Sequence, residues 1–369
     1  MTLTVRIADT PDTARSAAGP WSALMERAPG AGVFLTPEWQ LSWLDALQGG
    51  AEPAIVLLED AGSVRAALPM ARTVERPGGL PVRVTAIGGE EMASGDHLAP
   101  VVEPGFEAPA ARALETWMAD ELQVADVLRF ASVDEGPFAG AVRAAAERRG
   151  WELLERARDV APFAALPRTW GEIEAALGAR RTGRLEYYAR RLRKDHADVE
   201  VRLNDEAAPL ARVLDEMAAL HVRLWESRGR PGTLGREAKR RFLDRFCARA
   251  LERGWLRLHQ LWVGPRLVSA TLVFHHRGVA SYYQSGWDLD FKLYNVGELA
   301  VMQGLRRAVE EGVAVFDFLR GDEPYKEKFA TGRAELLTLE IASRPKGRLL
   351  LKAGAARGAA AAAVRRAHP

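Results

Sequence analysis

One order of elements occurs twice along this chain, and that repetition limits the fold more than any single residue does. In the first half Leu3 to Ile7 alternates as a strand and Trp21 to Ala28 has helical spacing. Thr36 precedes Pro37 as an N-cap ahead of a proline suited to the first helical turn, which opens a helix through Trp39, Trp43 and Leu47. Ala54 to Leu58 and Val64 to Met70 flank Glu59-Asp60-Ala61-Gly62-Ser63 as a hairpin. A Gly/Pro-rich stretch runs from Pro77 to Gly89, and Val101 to Gly105 is extended. A helix over Ala110 to Leu122, a strand over Ala125 to Phe130 and a helix over Pro137 to Arg149 complete this half.

The second half repeats the plan after an extended link, Trp151 to Leu166. Trp170 to Lys194 reads as one basic helix and Val199 to Leu203 as a strand. Pro209 to Arg228 and Arg236 to Glu252 carry apolar residues at helical spacing. Three strands follow, Leu256 to Val263, Leu267 to His275 and Val279 to Gly286, with turns at Gly264-Pro265 and Arg277-Gly278. A helix from Gly297 to Glu310 ends at Gly312, and Val313 to Leu319 and Leu336 to Ile341 are the last strands. Helices gathered against mostly antiparallel strands predict an α+β class, an α/β layered fold of two similar halves. The expected divisions are 1–165, 166–345 and a basic alanine-rich tail, 346–369.

Composition narrows the class. An apolar content of 48% supplies sizeable cores, and no window approaches the roughly 18 uninterrupted apolar residues of a membrane span. The first ten residues, with Arg6 and Asp9, lack the pattern of a signal peptide, so a cytoplasmic location is expected. A single cysteine, Cys247, excludes a disulfide framework and a thiolate metal cluster. It lies among Phe242, Leu243 and Phe246, as a core thiol would. His275-His276 point to opposite faces of a strand and do not form a metal pair, so no metal is expected. The net charge of +2 hides two basic islands. The tail from Lys346 holds six basic residues and no acid, and Arg180 to Lys194 holds seven against one Glu. Such islands attract phosphates, nucleic acid or anionic lipid, and a solvated helix face gives the same pattern.

Two stretches carry the candidate chemistry. In the first, Tyr282-Tyr283-Gln284-Ser285-Gly286-Trp287-Asp288 ends a strand, and Asn295-Val296-Gly297-Glu298 opens a helix. The first amides of a helix lack internal partners and attract an anion, and Gly297 lets a pyrophosphate approach; a helix capped by Asn295 accounts for the same residues. In the second, Asp317-Phe318-Leu319-Arg320-Gly321-Asp322-Glu323-Pro324-Tyr325-Lys326 delivers a strand end into a charged loop. Asp317, between two apolar residues, reads equally as a loop anchor or as a catalytic carboxylate, and Lys326 is able to pair with a phosphate or carboxylate.

These stretches, in this order, resemble the BioF2-like/CelD-like branch of GNAT acetyltransferases, related to the FemAB aminoacyltransferases. The resemblance rests on the ten-residue run, on Tyr283, Gly286, Asp288 and Gly297, on the basic segment Arg180 to Lys194, and on Phe34-Leu35-Thr36-Pro37-Glu38-Trp39. Val296 stands where that family usually has proline. The resemblance implies tandem GNAT-like domains, with an acyl-CoA such as acetyl-CoA as co-substrate in the second. It implies direct transfer to an amine or hydroxyl, on a small-molecule or glycan-precursor acceptor, in envelope or exopolysaccharide metabolism. It places the cofactor on Ser285, Gly286, Asn295, Val296, Gly297 and Glu298. It makes Asp288, Asp317 and Glu323 the candidate bases, Tyr283 or Tyr325 the proton donor to the thiolate, and Lys326 a further catalytic candidate.

Two other readings stay open. One is a FemAB-like transferase using aminoacyl-tRNA, with Arg180 to Lys194 on the RNA backbone. The other is a non-catalytic scaffold of a polysaccharide synthase, with the basic tail in peripheral contact with a membrane or partner. In the first half the counterpart of the phosphate loop, Gly88-Gly89-Glu90-Glu91, is acidic, so that half is expected to shape the acceptor site without a cofactor of its own.

Overall fold

The computed structural model describes residues 2–89, 92–204 and 209–367, so Glu90 and Glu91 of the acidic turn lie outside the described residues. The chain forms two compact units, Met1–Asp159 with Glu335–Pro369, and Val160–Ala334.

The first unit runs β1 (Thr4–Ala8), α1 (Pro11–Arg27), α2 (Pro37–Leu47), β2 (Glu52–Pro53), β3 (Ile55–Asp60), β4 (Ser63–Leu68), β5 (Met70–Glu75), β6 (Val82–Ile87), β7 (Val101–Val102), α3 (Glu107–Glu121), β8 (Val127–Asp134) and α4 (Pro137–Arg149). β9 (Glu152–Ala165) starts in this unit and ends in the other. As expected, Thr36 caps α2, its hydroxyl accepting from the Trp39 amide at 3.3 Å with Pro37 in the first turn. Strands β1-β3-β4-β7 form an antiparallel sheet. In a second sheet β6 pairs antiparallel with β5 and parallel with β8, α3 making the crossover. β6 lies inside the stretch that sequence marks only as Gly/Pro-rich: its alternation is flanked by Pro77-Gly78-Gly79, Pro81 and Gly88-Gly89, whose turn signals conceal it. Gly88 and Gly89 are packed too closely by Gln40 and Trp39 to carry a side chain. Arg72 holds the buried Glu121 through two bonds of 2.7 Å, and the Thr85 hydroxyl completes that carboxylate's shell.

The second unit runs α5 (Trp170–Leu177), α6 (Ala179–Asp195), β10 (Val199–Leu203), α7 (Leu210–Glu226), α8 (Glu237–Glu252), β11 (Leu256–Val263), β12 (Arg266–His276), β13 (Val279–Trp287), α9 (Val296–Glu310) and β14 (Val315–Asp317). β15 (Gly332–Ala342) starts here and ends in the first unit, where α10 (Pro345–Ala367) follows. The single basic helix expected over Trp170 to Lys194 is two helices, because Gly178, at φ +81°, closes α5 on the Glu174 carbonyl and restarts the chain as α6. The strands are ordered β10-β11-β12-β13-β14-β9, antiparallel throughout except between β13 and β14. Each unit is thus an α+β assembly with the same core theme: an antiparallel pair, a crossover helix, then a parallel strand.

On one face of the second unit's sheet, Tyr282, Leu299, Leu305, Phe316, Phe318 and Phe329 share a core with Leu185 of α6. Cys247 is fully buried among the α8 residues Phe242, Leu243 and Phe246, and burial pushes its thiol up. On α7 the buried stripe is Val213, Leu214, Met217, Ala218, His221 and Leu224. That helix lies so close to β13 that a Cβ on Gly286 would stand 2.5 Å from the Met217 carbonyl oxygen and 2.8 Å from the His221 amide nitrogen. Gly286→Ala is therefore expected to destabilise this unit by roughly 1–3 kcal/mol through overpacking, read by urea unfolding.

Acid sensitivity is expected as well. His259, buried on β11 opposite Thr271, has its imidazole pushed from 6.5 down to about 4, chiefly by burial. The unfolded chain takes up that proton below pH 6.5 and the folded unit resists it until about 4. This contribution is complete above pH 6.5 and is lost as pH falls toward 4. Unfolding free energy should drop by on the order of 2 kcal/mol between pH 7.5 and 5, and His259→Gln should flatten the drop.

Candidate active site

The site is built where two parallel strands part. β13 and β14 pair over only three positions, Val279↔Val315, Ala280↔Phe316 and Ser281↔Asp317. β14 stops because the Asp317 carboxylate accepts the Leu319 amide at 2.8 Å while Leu319 turns through a φ of +58°. The Phe318 amide turns to the Pro162 carbonyl instead. The strand expected over Val313 to Leu319 is shortened accordingly. β13 continues to Trp287, and among the described residues no other strand takes up the edge that β14 leaves.

β13 also bulges there. Leu272 faces Gln284 and Val273 faces Tyr282, so Tyr283 is the extra residue. The bulge sends the two tyrosines to different neighbours. Tyr282 joins the core with Phe316 and Phe318, and its buried phenol interacts with the side chains of Ser285, Tyr325 and Thr271. Tyr283 accepts a hydrogen bond from the ammonium of Lys239, a residue of α8 that is 1% exposed.

The run after β14 is a compact loop wound on Lys326. The buried Lys326 ammonium donates to the carbonyls of Leu319 (3.1 Å) and Arg320 (2.7 Å) and pairs with Glu323 at 2.9 Å. Gly321, at φ +124°, has no room for a Cβ beside Glu323 and Lys326. The loop sets the Tyr325 ring 6.5 Å from that of Tyr282. Burial raises both phenols above their ordinary value, and for Tyr325 the neighbouring Tyr282 and Glu323 add to the effect. Both are therefore protonated at neutral pH and able to give up a proton to a stronger base.

Opposite them stands a histidine that the sequence reading passed over. The Nδ1 of His221, on α7, lies 2.9 Å from the Ser285 carbonyl oxygen, and its Nε2 lies 3.4 Å from the Thr233 hydroxyl. A carbonyl only accepts, so Nδ1 carries the proton and Nε2 the lone pair. Burial, and the positive charges of Lys239 and Arg228, hold its pKa below 6.5 against the opposing pull of that carbonyl bond. His221 is thus a neutral, oriented base. Ser285 lies between the two kinds of group, its carbonyl on His221 and its hydroxyl on Tyr282.

The remaining sequence candidates fall in different places. Asp288 caps the turn after β13, accepting from the Asp290 amide at 3.0 Å, and is paired with Arg223 and Arg266. Asn295 is left-handed at the start of α9 and makes no side-chain cap bond there. Val296 is buried, and the missing Cβ of Gly297 would stand 3.1 Å from the Trp287 indole nitrogen. Glu298 puts a carboxylate in the first turn of α9, paired with Lys328 and 3.7 Å from Arg184. The structure therefore joins Ser285, Glu323, Tyr325 and Lys326 with His221 and Tyr282, and sets Tyr283, Asp288 and the α9 start on other contacts. His221 had a signal in the sequence, as the polar residue on the otherwise apolar stripe of α7. Tyr282 differs from Tyr283 only through the bulge, which leaves no mark in a linear pattern.

Residues 179–327 match the Acetyltransferase (GNAT) domain family. No curated protein matches the chain by sequence. Among solved structures, FemX superposes with a TM-score of 0.63 at 10% identity, covering 90% of this chain and 98% of FemX. The C-terminal domain of an assigned lysylphosphatidylglycerol synthetase from Agrobacterium fabrum gives 0.56 at 10% identity, covering 92% of this chain and 95% of that one. L-PGS from Bacillus licheniformis gives 0.50 at 13% identity, covering 94% and 96%. At such identities the likeness to solved structures is one of fold. The matched domain encloses the parted strands, His221 and both site tyrosines, so the second unit carries a GNAT acetyltransferase domain, and the chain shares the fold of FemX.

Proposed function

We propose that the second unit transfers an acyl group directly from the thioester of an acyl-CoA to an amine or hydroxyl, with His221 as general base and Tyr325, backed by Tyr282, as the acid. The observation that carries this reading is the neutral His221, with its lone pair on Nε2, held by the carbonyl of Ser285, the β13 residue whose side chain meets Tyr282, Tyr325's neighbour. The acceptor's nitrogen or oxygen attacks the thioester carbonyl. The new C–N or C–O bond forms as C–S breaks. The acceptor's proton passes to His221 Nε2, and the departing thiolate takes one from Tyr325. An amide on the free edge of β13 faces the charge that develops on the carbonyl oxygen. Bound acyl-CoA supplies the activated thioester, and the open strand edge fits the amides of its pantetheine arm.

A second reading has its own support. Glu298 already places negative charge in the first turn of α9, where a pyrophosphate is expected, and α6 exposes Arg184 3.7 Å from it, with Arg190 and Arg193 exposed farther along the helix. Those features favour an aminoacyl-tRNA as donor to the same His221 and Tyr325. Calorimetric titration with acetyl-CoA, longer acyl-CoAs and a charged tRNA separates the two. Binding of an acyl-CoA supports the first reading; binding of tRNA alone moves the donor to the second; binding of neither overturns both.

With a donor in hand, His221→Gln should lower kcat by about 10²–10⁴-fold while donor Kd stays near its wild-type value. Because His221 is held below 6.5, the acid limb of the wild-type kcat profile should lie below pH 6.5, with activity lost as pH falls through it. Tyr325→Phe should cost less with a good leaving group than with a poor one. Equal losses for both would remove Tyr325 from the role of acid.

A further inference from the structure

Each unit exposes four large hydrophobic side chains among its described residues, and in the first unit they lie on adjoining segments. Those of the first unit are Val74 (56% exposed), Leu80 (48%), Val124 (51%) and Leu349 (70%). They come from three segments: the end of β5 with its connection to β6, the α3–β8 turn and the start of α10. Those segments are bonded to one another. Lys346 donates to the Pro81 carbonyl and pairs with Asp126 at 2.9 Å. Asp126 in turn accepts the Arg83 amide at 2.9 Å. The Arg344 guanidinium reaches the Gln123 carbonyl at 3.2 Å, and the Ser343 hydroxyl the Leu122 carbonyl at 3.1 Å. Leu80, Val124 and Leu349 each lie within three residues of one of these bonds, so the segments that carry them adjoin. Leu350 and Leu351 pack inward on Val82, Val84 and Val127, which leaves Leu349 on the outer side of α10.

The charge around these residues is of one sign in excess. Arg76, Arg83 and Lys352 are exposed beside them, and α10 contributes Arg348 as well. Several of these cations are themselves paired: Asp126 is engaged by Lys346 and Arg83, Glu75 by Arg129, and Glu152 by Arg348 with Lys352, so the excess is that of six cations, Arg76 included, over these three acids. Asp120 is the exposed acid at the rim. Single aliphatic side chains set among cations suit the headgroup boundary of an anionic bilayer, where apolar burial and attraction to lipid phosphates act together. A protein partner would instead be expected to meet a contiguous apolar patch. No helix among the described residues is long and apolar enough to cross a membrane, so this contact is one of surface docking.

We propose that this face, made by residues 74–83, 122–126 and the first turns of α10, docks the chain on an anionic membrane surface by seating Leu80, Val124 and Leu349 among the headgroups. The test is vesicle flotation of the full chain on phosphatidylcholine vesicles, with and without about 30% phosphatidylglycerol. The wild type should float with the anionic vesicles only, and salt at about 0.5 M should release it. A Leu80→Ser/Leu349→Ser variant keeps every charge and should lose at least about tenfold in partitioning. Both positions are exposed, so its thermal melt should match wild type; Leu349→Ser alone, at the most exposed site, gives the same comparison if the double variant does not fold. Wild type that stays in solution with anionic vesicles overturns the proposal. So does a serine variant that floats as well as wild type, because attraction by charge alone would then account for the binding.

Discussion

The hydrogen bond from the Leu319 amide to the Asp317 carboxylate ends β14, and the geometry of the site follows from that ending. Had β14 run on, its amides and carbonyls would have satisfied the edge of β13, as β12 does on the other side. Because it stops after three paired residues, Ser285 keeps a carbonyl for His221, and the loop beyond β14 has room to bring Tyr325 back to Tyr282. The loop holds this shape because Lys326, buried, is satisfied by two carbonyls and Glu323; an unmatched ammonium at that depth would be expelled. Turn, loop and the Tyr282–Tyr325 pair form one cooperative unit rather than separate features.

Much of the architecture was readable in the sequence, because periodicity reports burial directly. The apolar stripe of α7, the Thr36-Pro37 start of α2 and the three strands β11 to β13 appear in the structure close to where their patterns place them. The failures have local causes. Gly178 breaks the basic helix through its backbone angle, although the helical spacing continues across it. β6 alternates like any strand, but glycines and prolines on either side mask it.

The site was readable in part, and the division is instructive. Residues identified by a short contiguous run, Glu323, Tyr325 and Lys326, do share one loop. Residues brought together across sheet faces were not identifiable, since contacts depend on a bulge and on the tilt of a helix. Tyr282 and Tyr283 have the same side chain and adjacent positions, and only the inserted residue in β13 gives one a hydroxyl partner and the other an ammonium. His221 is at the site because Gly286 lets α7 come within contact of β13. Neither fact is local in sequence.

Ser285 holds the histidine through its backbone and the tyrosine through its side chain, and this bears on how such a site changes over evolutionary time. A substitution at Ser285 alters the hydroxyl beside Tyr282, yet the carbonyl that fixes the histidine tautomer persists with any residue there. The orientation of His221 is therefore robust to drift at this position, while the surroundings of Tyr282 are open to retuning. Lineages that take up new acceptors or leaving groups have an accessible route through position 285 and the loop around Tyr325, and a far narrower one through His221.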